Sequence, residues 1–377
     1  MTPPVSPGPA DPNPAHQALA RVGGHFPDRP DRLAQRAEAF ARGARAAATW
    51  RAYEGKWRRF IGWCAERGEP ALPAAPLTVA RFLTDLAPEW RPATPADPPA
   101  TVVEGQVLVA EGLRPTTLEV YRTAISVAHQ SAGHANPCAS EAVRRVMTGI
   151  RRHRGTAPAR RRRALRPTDM AHILATLDPD QSLAAARDAA LLLIGWKAAL
   201  RTDDLHRLDI ADLRVEDPDA GGGGGLAVRL RRSKTDQTGQ TVTVGITATP
   251  ARGDGNPDPL DAVAAWRRWH NLLRAHGLDT GPVWRGIDRY GRRPRAGRMT
   301  PQAISTVITR RAAAARLSGD YGGHSLRRGF ATSALAAGAS ERAVQNHGRW
   351  ASPTSMAPYI DEAHRYADTN PTRLLGL

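Results

Sequence analysis

GGHSLRRGFATSALAAG, residues 322–338, and NHGRWASPTSMAPYIDEA, residues 346–363, are the stretches on which the reading of this chain turns. The first reads as a helix over about 325–337, closed by Gly338, where a helix end favours a left-handed residue. His324 and Arg327 stand three residues apart. At a helix start that spacing puts them on one face. The free backbone N–H groups of such a start also favour a bound phosphate. After a short helix over about 340–346, the second stretch supplies Trp350 and Tyr359.

Two further stretches lie upstream. In AALRTDDLHRLDIADL, residues 198–213, Arg201 follows the apolar run LLLIGWKAAL and begins a new helix. Asp204 lies one turn on and can brace it. In RRSKTDQTG, residues 231–239, a polar turn with Gly239 places Lys234 at a strand end. Short strands fit 213–216, 226–232 and 240–246, from their alternation and β-branched content. Gly221–Gly225 form a loop before the second of them. These strands predict a three-stranded antiparallel sheet. Helices fit 168–177, with Thr168 as N-cap, and 184–197, 202–208, 259–276 and 301–315. The expected fold class is mainly α with a small antiparallel β-sheet. No internal repeat is visible.

Further upstream the pattern is helical. Behind Thr49 as N-cap, Trp50, Tyr53, Trp57, Phe60, Ile61 and Cys64 recur at spacings of three and four, which gathers them on one face. Gly68, Pro70 and Pro73 end that helix. A second helix fits 78–86. A third, opened by Pro115 and Thr116, turns Leu118, Tyr121, Ile125 and Ala128 inward. A fourth over 139–152 does the same with Val143, Val146, Met147 and Ile150. The Pro- and Ala-containing stretch 88–114 reads as a connection. The expected organisation is a disordered tail over 1–31, an N-terminal helical domain over 32–154, a basic linker over 155–166 and a second domain over 167–377.

The chain has 53 Lys and Arg against 36 Asp and Glu, a formal charge of +17. Such an excess favours a polyanionic partner. Arg151, Arg152, Arg154, Arg160, Arg161, Arg162 and Arg163 cluster at the domain junction and are expected to contact DNA phosphates, which supplies affinity rather than sequence choice. No apolar run reaches the roughly 20 residues of a membrane span, and the N-terminus does not read as a signal peptide. Cys64 and Cys138 make neither a disulfide framework nor a metal cluster. The expected compartment is the cytoplasm, in association with the nucleoid.

Metal-free phosphodiester cleavage needs an oxygen nucleophile, cations on the non-bridging oxygens and an acid for the leaving oxygen. Arginine suits the second role because its planar fork makes paired bonds to phosphate. Each motif alone is common; the ordered set Arg201, Lys234, His324 with Arg327, Trp350 and Tyr359 is not. The chain also lacks a GxxxxGKS phosphate loop and a carboxylate cluster suited to two metals. No cofactor and no metal are expected.

This set resembles the tyrosine recombinase, or phage integrase, family, and is similar in pattern to its Cre-like members. In that family the tyrosine follows the His/Trp position by nine residues and the first histidine by about 35, as Tyr359 follows Trp350 and His324 here. The resemblance covers about 49–377, the N-terminal part only by its helical pattern. It implies a SAM-like core-binding domain followed by an α+β catalytic domain. It implies Tyr359 as a nucleophile that forms a 3′-phosphotyrosine, Arg201 and Arg327 on the scissile phosphate, and Lys234 as the acid for the 5′ oxygen. His324 would aid proton transfer and orientation. Trp350 would fill the His/Trp position as a hydrogen-bond donor, with Asp204 in support. His347 is the alternative for that position if the loop is displaced by three residues. Ala199 stands two before Arg201, where relatives often carry glycine. Tyr290, Tyr321 and Tyr366 are rival nucleophiles that miss the spacing.

The implied partners are double-stranded DNA with inverted-repeat sites, three further copies of the chain at synapsis after a monomeric free state, and an accessory DNA-bending protein. The C-terminal segment, with Leu374, Leu375 and Leu377, would dock on a neighbouring protomer. Two alternatives stand beside this. A type IB topoisomerase shares the chemistry but acts as a monomer and reseals the original strand; the separate helical domain and the spacing favour a recombinase. An inactive DNA-binding relative is disfavoured because every catalytic position is filled. An RNA binder lacks support, since no aromatic RNA-stacking sheet is visible.

Overall fold

The computed structural model describes residues 36, 47–96, 98, 102–103, 105–154, 162–217, 224–231, 241–250, 253, 258–365 and 372. The expected tail over 1–31, Lys234, Arg160, Arg161, Tyr366 and the C-terminal leucines lie outside them. The chain divides into two units, 1–158 and 159–377, with the boundary inside the stretch expected as a linker.

Among the described residues of the first unit, four helices surround an aromatic core: α1 (Ala47–Glu66), α2 (Pro76–Asp85), α3 (Pro115–Ser131) and α4 (Glu141–Arg154). The expected inward face of α1 is buried at Trp57, Phe60 and Cys64, while Trp50, Tyr53 and Ile61 are half-buried. The helix begins two residues before Thr49, so Thr49 is not its cap. Phe82 of α2 is the hub. Phe60, Trp63 and Tyr121 meet it edge-on, with ring centroids 5.0, 5.4 and 5.6 Å away. Such pairs contribute about 0.5–1.5 kcal/mol each beyond their buried area.

The stretch expected as a plain connection carries a sheet. Strands β1 (Glu89–Pro92), β2 (Val102–Val103) and β3 (Gln106–Ala110) pair antiparallel in the order β1-β3-β2. Trp90 faces Leu108, and Val102 faces Val107. Strands of two to five residues are too short to show a period, which is why the sequence pattern concealed them.

His129 is fully buried between α3 and the turn before α2. Its Nδ1 donates to the Ile125 carbonyl at 2.8 Å, and its Nε2 accepts from the Ala74 N–H at 2.9 Å. Only the neutral ring can do both, and burial pushes its pKa below the ordinary 6.5. A histidine depressed in the fold binds its proton first in the unfolded chain, so stability falls as pH drops below about 6.5. The loss has a slope of at most about 1.4 kcal/mol per pH unit from this group. Urea unfolding followed by tryptophan fluorescence should show a midpoint falling between pH 7 and 5. The fall should be shallower in His129→Gln; identical pH slopes would remove His129 as the cause.

The second unit is built around α6 (Leu183–Lys197), buried continuously from Ala185 to Gly195. Ser182 caps it, its Oγ accepting from the Ala185 N–H. Around it lie α5 (Pro167–Ala175), α7 (Thr202–Arg207), α8 (Ala262–Ala275) and α9 (Pro301–Ala314). The cap of α5 is Arg166 rather than the expected Thr168, because Pro167 takes the first helical position. Asp188, wholly buried in α6, accepts from Arg187 at 2.6 Å and from Arg311 of α9 at 2.7 Å, so the carboxylate is charge-paired where water is excluded.

The expected sheet forms from β4 (Leu213–Glu216), β5 (Gly225–Leu230) and β6 (Val242–Thr247), antiparallel in that order. Leu213 faces Val228, and Val228 faces Val244. Leu226, Val228, Leu230, Val244 and Ile246 point into the core. A second hairpin, β7 (Arg285–Ile287) with β8 (Pro294–Arg298), was not foreseen. Further along come α10 (Gly323–Ala336), α11 (Glu341–Gly348) and α12 (Ala357–His364). No helix among the described residues is long and apolar enough to cross a membrane.

Candidate active site

The site begins where α6 ends. Ala199 takes a left-handed conformation, φ 49°, and the Leu200 N–H returns to the Gly195 carbonyl at 2.9 Å. This reversal delivers Arg201 to the start of α7. A left-handed residue with a Cβ costs about 1 kcal/mol, which is why glycine is favoured in this conformation. Asp204, one turn on, accepts the Arg201 N–H at 3.1 Å and is itself buried.

α10 meets α7 at its first turn. A Cβ on Gly323 would stand 1.7 Å from Thr202 Oγ1. One on Gly329 would stand 1.9 Å from the Leu165 carbonyl oxygen, so α10 also lies against the segment that enters this unit. His324 is exposed on the first turn of α10, and Arg327 is buried one turn later. Arg327 Nη1 donates to the Ala199 carbonyl at 2.6 Å. Its guanidinium lies 3.8 Å from the Trp350 ring centroid.

α11 ends as α6 does. Arg349 is left-handed, φ 57°, and the Trp350 N–H returns to the Gln345 carbonyl at 3.0 Å. Trp350 is folded over Gly348, where a Cβ would stand 1.6 Å from the indole ring. Tyr359 packs edge-on to Trp350, ring centroids 5.6 Å apart. It sits in the first turn of α12, a helix held to α10 by an ion pair between Arg328 and Glu362.

The electrostatics are one-sided. Burial, reinforced by the like charges of Arg201 and Arg349, pushes the Arg327 pKa down to about 9, with Asp204 and Tyr359 opposing. The group stays protonated at neutral pH. Arg201 Nη1 and Arg327 Nη2 are buried and have no hydrogen-bond partner among the described residues. Guanidinium donors left unpaired in a dry site are costly unless an anion receives them.

No protein-family model matches the sequence. The chain is 28% identical over 348 residues to an integrase/recombinase XerD homolog of Selenomonas ruminantium, a match covering 91% of this chain and 90% of the relative. It is 24% identical over 189 residues to recombinase Cre of Escherichia phage P1, covering 50% of this chain and 47% of that relative. The XerH site-specific recombinase, in a post-cleavage complex with palindromic difH substrate, shares the fold at a TM-score of 0.58. That match has 15% identity and covers 91% of this chain and 84% of the other. In sequence the chain resembles the tyrosine recombinases, and it shares their fold.

The structure gathers Arg201, Asp204, Arg327, Trp350 and Tyr359, with His324 on the first turn of the same helix as Arg327. Lys234 lies outside the described residues; the strands that flank it end at Leu230 and resume at Val242. His347 turns elsewhere. Its Nε2 donates to the Lys197 carbonyl at 2.7 Å, and its ring stacks on Phe330. Burial lowers its pKa. These contacts tie α11 to the end of α6 and turn His347 away from Tyr359, against which Trp350 packs instead. Of the rival nucleophiles, Tyr321 is buried with its hydroxyl donating to the Ser318 carbonyl at 3.3 Å. Tyr290 stands exposed on the β7–β8 turn.

The junction arginines divide. Arg152 is exposed at the end of α4, and Arg151 pairs with Glu119. Arg162 pairs with Asp320 and donates to the Tyr321 carbonyl at 2.9 Å. Arg163 bonds Ser318. Arg162 and Arg163 therefore anchor the entering chain to the turn before α10, a use that a charge run alone does not reveal. Arg154 lies in the last turn of α4. Sequence reasoning missed Arg349, whose side chain is only 9% exposed and whose Nη2 donates to Asp204 at 3.1 Å.

Trp350→Ala should strip the apolar cover from Arg327 and the packing surface from Tyr359. A desolvated cation–π contact contributes on the order of 2 kcal/mol, so cleavage should slow roughly 10–100-fold. Trp350→Phe should recover most of the rate. A single-turnover cleavage assay decides it; an alanine variant as fast as wild type would remove the ring from the site's machinery.

Proposed function

We propose that the site cuts and rejoins duplex DNA through Tyr359 and that the chain carries out site-specific recombination without ATP. The observation that carries this is the convergence of Arg201 and Arg327, each with a buried unpaired nitrogen, beside the ring of Tyr359. Two guanidiniums converging in this way fit the non-bridging oxygens of one phosphate.

The Tyr359 hydroxyl attacks phosphorus and forms the tyrosyl ester while the bond to the 5′ oxygen breaks. The phenolic proton leaves through His324, on the same face as Arg327. The departing 5′ oxygen takes a proton from Lys234. Arg201 and Arg327 hold the non-bridging oxygens as charge builds, and Asp204 holds the backbone turn that presents Arg201. Trp350 shields Arg327 from water, which strengthens its interaction with the phosphate. One phosphodiester is exchanged for another, so the bond energy is kept for rejoining.

Recombination of two duplexes needs two cleavages on each, hence four protomers, each supplying one tyrosine. The exposed Arg152 and the basic stretch around the domain junction would add phosphate contacts. The chain would act in the cytoplasm, where its DNA lies.

Capture of covalent protein–DNA adducts from cells that express the full chain tests this. Lysis in strong denaturant and sequencing of the attached DNA should return a few inverted-repeat sites. Adducts scattered without site preference would instead indicate topoisomerase-like relaxation. No adducts in a host that carries a functional site would overturn the enzymatic assignment.

A further inference from the structure

Arg349 is a buried group beside Arg327 that the roles above do not use. Its Nη2 is held by Asp204 at 3.1 Å, the carboxylate that also takes the Arg201 N–H at 3.1 Å. One acidic side chain thus aligns both residues. Arg349 Nε and Nη1 are buried and have no hydrogen-bond partner among the described residues. Its charge reaches Arg327, and so does that of Arg201.

Pairing with Asp204 does not explain Arg349 by itself. Arg201 and Arg349 both bring positive charge to Arg327, and among the described residues Asp204 is the carboxylate set against both Arg327 and Arg349. A surface ion pair would leave the remaining guanidinium nitrogens to water, whereas Arg349 Nε and Nη1 are buried and lack a partner among the described residues. The backbone adds a second observation. Arg349 occupies a left-handed helix end, where glycine is cheaper by about 1 kcal/mol. Arg316 ends α9 in the same conformation with its side chain exposed in solvent, so the conformation alone does not dictate burial. At Arg349 the chain accepts the strained position and buries the charge as well. Strain kept at such a place points to use.

We propose that Arg349 is a third guanidinium of the phosphate grip, donating through Nε or Nη1 to a non-bridging oxygen of the scissile phosphate while Asp204 fixes its plane. The proposal rests on the recombinase reading of this site. It makes Arg349 a further phosphate-binding residue and gives Asp204 the task of spacing two of the three cations.

The test uses the full chain with Arg349→Gln, Arg349→Lys and Arg349→Gly. On DNA carrying a captured site, the rate of covalent adduct formation is compared for a normal scissile phosphate and for a methylphosphonate, which lacks the non-bridging charge. Loss of one preorganised donor costs about 100-fold, so Arg349→Gln should slow the phosphate substrate by about that factor. Its rate on methylphosphonate should stay within about threefold of wild type, because the lost donor matters only where charge develops. Lysine should recover part of the loss. Equal slowing on both substrates would make Arg349 a packing residue and overturn the proposal.

A second readout does not depend on cleavage. At constant ionic strength, inorganic phosphate should raise the melting midpoint of wild type more than that of Arg349→Gln. The exposed Arg274→Gln should behave as wild type. An equal rise in all three would also overturn the proposal. If wild type formed no adducts, the recombinase reading would fail, while the phosphate comparison would still decide whether Arg349 binds an anion.

Discussion

Tyr359→Phe is expected to abolish covalent protein–DNA complexes while DNA binding stays within about threefold of wild type. The ring that packs on Trp350 is retained in phenylalanine, so the lost group is the hydroxyl alone. Affinity resides in phosphate contacts distributed over many cationic side chains, so one neutral oxygen should hardly change it. Without the nucleophile the covalent route closes, and the rate should fall by more than about 10,000-fold, toward the uncatalysed reaction. Denaturing gels of enzyme incubated with labelled DNA measure the adduct, and gel shift measures binding. Tyr321→Phe and Tyr290→Phe should both retain cleavage. Adducts that persist in Tyr359→Phe would transfer the nucleophile to another residue and dissolve the site as described.

The second large effect belongs to Arg327. Arg327→Ala should slow adduct formation by about 1,000-fold, the upper range for loss of a preorganised donor to developing charge. Lysine should restore no more than about tenfold of this. The guanidinium acts along several directions at once: Nη1 on the Ala199 carbonyl, its plane on Trp350, and Nη2 unpaired. An ammonium is a single point and cannot meet these partners together. The pH dependence follows from the pKa of about 9. Arg327 is a cation that loses its proton as pH rises, so kcat/KM should hold to about pH 8 and fall through 9. In the bound complex the phosphate raises the pKa, so the fall in kcat should come later. A kcat/KM that stays flat to pH 10 would show that deprotonation of Arg327 does not limit the free enzyme.

Much of this architecture was legible in the sequence because the period of a helix survives in the order of its apolar residues. Trp57, Phe60 and Cys64 announce α1, and Leu118, Tyr121 and Ile125 announce α3. The β4–β6 sheet was visible through its β-branched alternation. The sheet over 89–110 was not, since its strands are too short for a period and Pro92 sits among them. The β7–β8 hairpin is rich in arginine and glycine and gave no apolar signal either. Arg201, His324, Arg327, Trp350 and Tyr359 are expected as site residues from order and spacing, and the structure adds how their elements are held. Arg349 escaped because nothing in a sequence marks an arginine as buried. Its placement depends on the left-handed turn after α11 and on the position of Asp204, which is 145 residues away. Arg162 and Arg163 escaped in the opposite sense. Their charge suggested DNA, and only the fold shows Asp320 and Ser318 within reach.

The contact of Gly323 with Thr202 has a bearing on how such an enzyme can be retargeted. The Thr202 side chain at the start of α7 lies directly against the bare Cα of Gly323 at the start of α10, which closely gauges the span between Arg201 and Arg327. A residue larger than glycine at 323 would meet the Thr202 side chain, with its Cβ 1.7 Å from Oγ1 and 3.0 Å from the Thr202 Cβ, and would press the two helices apart. Directed evolution toward a new DNA sequence should therefore leave residues 202 and 323 untouched and collect its changes on exposed surfaces away from this contact. Selection would alter the choice of site freely, while the geometry of cutting would pass unchanged from one specificity to the next.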